Sequence, residues 1–253
     1  MDYIVMDLEF NQPFDFEDGE GAVAEPECPF EIVQVGLVKL CADFVVRDTL
    51  ELNIRPSIYE RIHPFVGKIT GLTYDDIHVG TRSFPNNFGD ICNFIGSSEN
   101  IFAVWGGSDI KLLFKNICYH KLPMGGIPTN FIDVQALASR KLSTTSGTSI
   151  GLKNAVTALE IEQDRPFHNA LSDALYTARI FDIVCKGEAS LEKYVKGFRA
   201  DSLSSSKRGC RDGEYDAVAL HREAEKMFGR KLTATQKKIV RKIYEMGLGG
   251  RFN

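Results

Sequence analysis

The chain has 253 residues, 43% of them hydrophobic and 25% charged, which suits one large globular domain with an appendage or two small domains. Its net charge of −4 is unevenly placed: residues 1–185 carry 14 basic and 25 acidic side chains, residues 186–253 carry 16 and 9. No apolar run is long enough to span a bilayer, and the N-terminus enters a strand-like run with no basic region or cleavage site. The six cysteines form no CxxC pair, which argues against a zinc site or disulfide framework.

These features predict a cytoplasmic protein with reduced thiols and no membrane partner. An acidic body with a basic tail suits either a solvated surface or a nucleic-acid partner. Along the chain, 2–10 reads as a first strand and 13–30 as an acidic, Pro/Gly-containing connection longer than a tight hairpin. EIVQVGLVKL (31–40) alternates and is β-branched, hence a second strand, and 45–56 is a third, ended by Pro56. A short helix is expected over 73–80 behind Thr73, and an amphipathic one over 83–97, with Phe84, Phe88, Ile91 and Ile95 on one face. NIFAVWGG (100–107) is a fourth strand, followed by a helix with Ser108 as its expected N-cap. TNFIDVQALA (129–138) is a fifth strand running into a helix. Further helices are expected over 149–161 and 170–187, the last stopped near Gly187.

Three early strands followed by alternating strands and helices give an α/β fold with a mixed five-stranded sheet flanked by helices. The Ser/Gly-rich stretch 200–215 reads as a linker. Residues 216–253 read as a small basic helical extension carrying Lys231, Lys237, Lys238, Arg241 and Lys242, with a capping box at Thr233 and Gln236. It suits phosphate contacts, a hairpin packed on the main domain, or an oligomer contact.

Asp7 and Glu9 interrupt the first strand. Residues i and i+2 share a strand face, so both carboxylates emerge together while Leu8 faces the other way. Two adjacent charges on a buried strand repel and are costly to desolvate unless a cation sits between them, and carboxylate oxygens suit Mg²⁺ or Mn²⁺. The alternative is a strand end that simply reaches solvent. Asp109 follows the fourth strand, and Asp173 lies five residues after His168. Five residues along a helix is roughly 140° away from a shared face. His168 and Asp173 therefore converge only if His168 sits on the preceding loop, where Pro166 belongs.

Taken in order, Asp-x-Glu on the first strand, Asp after a later strand and His-x4-Asp near the end resemble the motifs of the DEDDh 3′–5′ exonucleases. FEIVQVGLVKL, IHPFVGKITGLT, FIDVQALA and GLKNAVTALEI resemble further segments of that family, over roughly residues 2–185. HPFVGKITGLT looks most like the branch holding the KapD-like proteins and the histone-mRNA and small-RNA 3′ exonucleases. The resemblance implies an RNase H-like fold over a domain of residues 1–199. It implies a site in which Asp7, Glu9, Asp109 and Asp173 hold two Mg²⁺ or Mn²⁺ ions while His168 takes a proton from the attacking water. The implied substrate is single-stranded nucleic acid with a free 3′ end, RNA favoured, cleaved to nucleoside 5′-monophosphates.

Backbone at Phe10 and Asn11 would meet the terminal 3′ hydroxyl, and Thr70, Gly71 and Leu72 the terminal base. For Leu72 a core position is an equal reading. For Trp105, stacking on a base and packing at a strand end both stay open. A DNA exonuclease and a non-catalytic binding module of the same fold are the rival readings. A missing ligand would mark the module, and here every ligand position is filled.

Overall fold

The computed structural model describes residues 1–16, 23–142, 149–186 and 191–199, with Lys231, Thr233 and Lys237 beyond them. The chain divides into two units, Met1–Leu203 and Ser204–Asn253, and the fold below is that of the first. The expected linker (200–215) and basic extension (216–253) lie outside the described residues, apart from the Lys237 N–H, which donates to the Thr233 carbonyl.

Among the described residues the strands are β1 (Tyr3–Asn11), β2 (Glu31–Leu40), β3 (Val46–Arg55), β4 (Arg82–Ser83), β5 (Ile101–Val104), β6 (Asn130–Asp133) and β7 (Val195–Gly197). They form one seven-stranded sheet in the order β4-β3-β2-β1-β5-β6-β7. The first three strands are antiparallel neighbours, β5 and β6 run parallel to β1, and β7 returns antiparallel at one edge. The mixed sheet is as expected, but it has seven strands rather than five. The two extra strands, β4 and β7, are edge strands of two and three residues, too short to leave an alternating pattern in the sequence.

The helices are α1 (Pro64–Thr70), α2 (Tyr74–His78), α3 (Phe84–Ile95), α4 (Ser108–Tyr119), α5 (Val134–Lys141), α6 (Leu152–Ala158) and α7 (Ala170–Cys185). Thr73 caps α2 in a reciprocal capping box with Asp76. Helix α1 was not anticipated, although Pro64 in its first turn and Gly71 in the left-handed conformation at its end are the usual start and stop residues. The cap of α4 is Gly107 rather than Ser108, which is already helical. Gly106, at φ +88°, turns the chain sharply out of β5 and brings the helix start forward.

The sheet separates two apolar layers. On β1, Ile4, Met6 and Leu8 pack with Phe84, Phe88, Ile110 and Phe114 of α3 and α4. Tyr3 and Val5 pack on the other face, with Val134, Val156, Tyr176 and Phe181 of α5, α6 and α7. By the period of two, Asp7 and Glu9 continue the face of Tyr3 and Val5, the face that α7 covers.

The start of α7 is seated on β2. A Cβ on Gly36 would lie 2.2 Å from the backbone carbon and oxygen of Ala170 and 2.3 Å from the nitrogen of Leu171. One pleat away, the Gln34 side chain accepts from the Ala170 N–H at 2.8 Å and donates to Asn53 Oδ1 at 2.9 Å. Asn169 caps the helix by accepting from the Ser172 N–H, and its amide donates to Glu51 Oε1 at 2.7 Å. A Gly36→Val substitution should therefore push α7 off the sheet and destabilise the fold by about 1–3 kcal/mol. A urea unfolding curve that overlays the parent's would contradict this.

Candidate active site

Strands β1 and β5 are parallel neighbours, paired from Tyr3 with Ile101 to Met6 with Val104. Their carboxyl ends therefore open at the same edge of the sheet. Asp7 and Glu9 lie on β1 just past the last of these pairs, facing Gly36 and Gln34 of β2. A bulge between Glu9 and Phe10 then bends the strand. Asp109 lies in the first turn of α4, immediately after β5. Asp173 lies in the first turn of α7, the turn seated over Gly36. Two of the four acids thus sit at helix N-termini, whose partial positive charge favours each anion by about 0.3–1 kcal/mol.

The acids feel one another. Burial raises the Asp7 carboxyl well above its usual range, and the charges of Asp109, Asp173 and Glu9 raise it further. Glu9 is pushed up to about 8 by burial, then by Asp173 and Asp109. Asp173 is pushed up to about 7 by burial, against the opposing hydrogen bond from the His168 backbone.

His168 stands on the loop before α7 with φ +64°, a left-handed conformation uncommon outside glycine. That turn lets its N–H donate to Asp173 Oδ2 at 3.1 Å. Its ring reaches the same place: ligand atoms of Glu9, His168 and Asp173 all lie within 4.8 Å of one another. Partial burial and the nearby Lys153 charge hold the imidazole below its usual value, so it is neutral at pH 7.

These residues fit a divalent cation. Asp173 is buried, and its Oδ1 has no hydrogen-bond partner. A buried carboxylate oxygen without a donor is unfavourable unless something positive meets it. The two carboxylates and the imidazole that meet here, Glu9, Asp173 and His168, are donors that suit Mg²⁺ or Mn²⁺.

The residues expected to contact substrate are placed differently from one another. The side chain of Asn11 is fully buried and occupied: its amide donates to the carbonyls of Tyr59 and Arg61 and its oxygen accepts from the His63 N–H. Opposite it on β2, the buried Glu31 carboxylate accepts from the Ile58 and Tyr59 N–H groups and the Ser57 hydroxyl. This pair ties segment 57–63, which leads into α1, to the ends of both strands. Phe10 packs against the α3–α4 layer. Thr70 turns its hydroxyl onto the Val66 carbonyl, and Gly71, the C-cap of α1, stands open. Leu72 is buried with Val33 and Ile77, the core position. Trp105 packs against the α5–α7 layer with its ring nitrogen buried and unbonded.

The exonuclease family model RNase_T matches residues 4–181, from β1 through most of α7. The chain belongs to the exonuclease family. No curated protein matches the sequence. Solved structures do. The exonuclease domain is similar to the nuclease domain of 3'hExo, a DEDDh family member, bound to rAMP, at 18% identity and TM-score 0.64, covering 78% of this chain and 97% of that one. It is also similar to the 3'-exonuclease of a study of 3'-end specific recognition of the histone mRNA stem-loop (17%, 0.61, 79% and 71%). A third is S. pombe Pop2p in its Mg²⁺ and Mn²⁺ bound form (20%, 0.56, 78% and 88%). At these identities the likeness shows the fold: a mixed sheet flanked by helices, of the RNase H-like exonuclease kind.

Several residues that build the site of this exonuclease domain were not singled out from the sequence, chiefly Gln34, Gly36, Glu31 and Asn169. A lone glycine and two polar residues in a β-branched run were the available signal, since they mark close approach or a buried partner.

The raised carboxyls carry a consequence for stability. In cation-free protein, Glu9 and Asp173 hold protons that the unfolded chain releases from about pH 4. Their contribution is fully present below that pH and is lost as pH rises through about 7 for Asp173 and about 8 for Glu9. In a chelator, an Asp173→Asn variant should gain melting temperature on the parent between pH 5 and pH 8. Mn²⁺ should stabilise the parent more at pH 8 than at pH 5 and leave the variant less affected. A variant that loses ground as the pH rises in chelator would refute this.

Proposed function

We propose that this exonuclease domain is a metal-dependent 3′–5′ exonuclease that hydrolyses the terminal phosphodiester of single-stranded nucleic acid, RNA in preference to DNA. Its products would be nucleoside 5′-monophosphates. The observation that carries this reading is the meeting of Glu9, His168 and Asp173 within 4.8 Å, beside Asp7 and Asp109, in a chain of the exonuclease family.

Asp7, Glu9, Asp109 and Asp173 would hold two divalent cations, as the resemblance to the DEDDh enzymes implies. Bound cations supply a more acidic water and offset charge gathering on the phosphate and the departing oxygen. The chain's own residues do the rest. The neutral His168 ring, on the open side of the cluster, accepts the proton of the attacking water. Asp173 keeps one oxygen on the His168 N–H and turns the other inward, so the acid and the loop carrying the base are fixed to one another. The exposed backbone at Gly71 and the backbone at Phe10 and Asn11 would receive the terminal nucleoside, as the resemblance implies. The preference for RNA rests on two of the similar structures, one bound to rAMP and one recognising a histone mRNA stem-loop.

The test is a panel of single- and double-stranded RNA and DNA oligomers labelled at either end, with Mg²⁺, Mn²⁺ or chelator. Shortening from the 3′ end with release of 5′-monophosphates, abolished by chelation, is expected. His168→Ala should lose about 10²–10³-fold in rate and keep its Mn²⁺ affinity. Turnover in chelator, or by Asp7→Ala, would overturn the reading; faster cleavage of DNA would overturn the preference.

For the basic extension 216–253, we propose phosphate contacts. Removing residues 200–253 should then flatten the salt dependence of oligonucleotide binding, and an unchanged slope would rule the contacts out.

A further inference from the structure

The loop that carries His168 is held by a stack of side chains. Tyr176 is fully buried on α7, on the turn after Asp173. Its hydroxyl accepts from the Arg165 N–H and donates to the Arg165 carbonyl, both at 2.8 Å, closing a two-point clamp on the loop backbone. Its ring stacks on Phe167, the residue before His168, with centroids 4.8 Å apart and planes 19° apart. Lys153 of α6 lies over the Phe167 ring at 5.7 Å, and Arg179 lies over the Tyr176 ring at 5.6 Å. Arg179 also grips the start of the loop through a bidentate pair with Asp164, at 2.8 and 2.9 Å.

This arrangement does more than a loop between two helices requires. His168 sits in the left-handed region with an exposed side chain, so what holds it there is the grip on its backbone and on the residues before it. The backbone turn that aims its ring at Glu9 and Asp173 is fixed on one side by the Asp173 carboxylate. On the other it is fixed by residues 165 and 167, both gripped by Tyr176. We infer that Tyr176 is a positioning residue: through the Arg165 clamp and the Phe167 stack it sets the place of His168, and so the rate of the proton transfer, without touching substrate or cation.

The inference rests on the reading of His168 as the base, and the experiment separates the two. Tyr176→Phe keeps the ring, its volume and the stack, and removes only the clamp. Arg165 is exposed, so its freed backbone groups pass to water and the fold survives. In the full chain with Mn²⁺ and an end-labelled single-stranded RNA, Tyr176→Phe should lower kcat about 10-fold. KM, Mn²⁺ affinity by calorimetry and melting temperature should stay close to the parent's. In a His168→Ala background the same substitution should cost nothing further, because a positioning residue has nothing left to position. An unchanged kcat in Tyr176→Phe, or an equal loss with and without His168, would overturn the inference while leaving the proposed function standing. Full activity in His168→Ala alone would overturn both.

Discussion

Repulsion among Asp7, Glu9, Asp109 and Asp173 is the constraint around which this fold is organised. Burial pushes three of these carboxyls above their usual range, and neighbouring acids raise Asp7 and Glu9 further. A fold does not gather such groups to gain stability; the cost is borne because the scaffold is stiff enough to impose it. Each acid is fixed by an element that has no choice of position. Two extend a strand whose other residues are buried on both faces, and two begin helices whose bodies lie in opposite apolar layers.

The stiffness is concentrated at one contact. Helix α7 lies so close to β2 that only glycine fits at position 36, and Gly36 is the cross-strand partner of Asp7. The backbone of the helix carrying Asp173 is thereby pressed against the strand beside the first acid. Gln34 and Asn169 accept from the Ala170 and Ser172 N–H groups at that helix start, so two of the donors its first turn leaves open are met at the close approach. The left-handed turn at His168 completes the arrangement by tying loop, helix and carboxylate together through one N–H.

Much of this was legible in the sequence because strand periodicity is rigid. Alternation along YIVMDLEF puts Asp7 and Glu9 on one face and Leu8 on the other, and five residues between His168 and Asp173 require the histidine to leave the helix. The long alternating strands and amphipathic helices were readable for the same reason. Edge strands β4 and β7 were not, since two or three residues carry no period and their pairing is decided by the neighbour. The family resemblance named the acids but not their supports. Whether Gln34 faces solvent or the first N–H of a helix 136 residues later depends on packing between distant segments, which local pattern does not encode. Leu72 shows the same limit: its letters allow a substrate contact or a core position, and only the packing of Val33 and Ile77 around it distinguishes them.

The paired residues Asn11 and Glu31 sit where β1 leaves the sheet and β2 enters it. Each is locked onto segment 57–63, so departure and return are fastened side by side, and Tyr59 of that segment also holds the connection between them, accepting from the Glu25 N–H and donating to the Cys28 carbonyl. For a loop whose ends are fastened in this way, the entropy of closure changes only slowly with its length. A change of length in that connection is therefore taken up at the Asn11–Glu31 junction, and the acids two and four positions upstream of Asn11 stay in register.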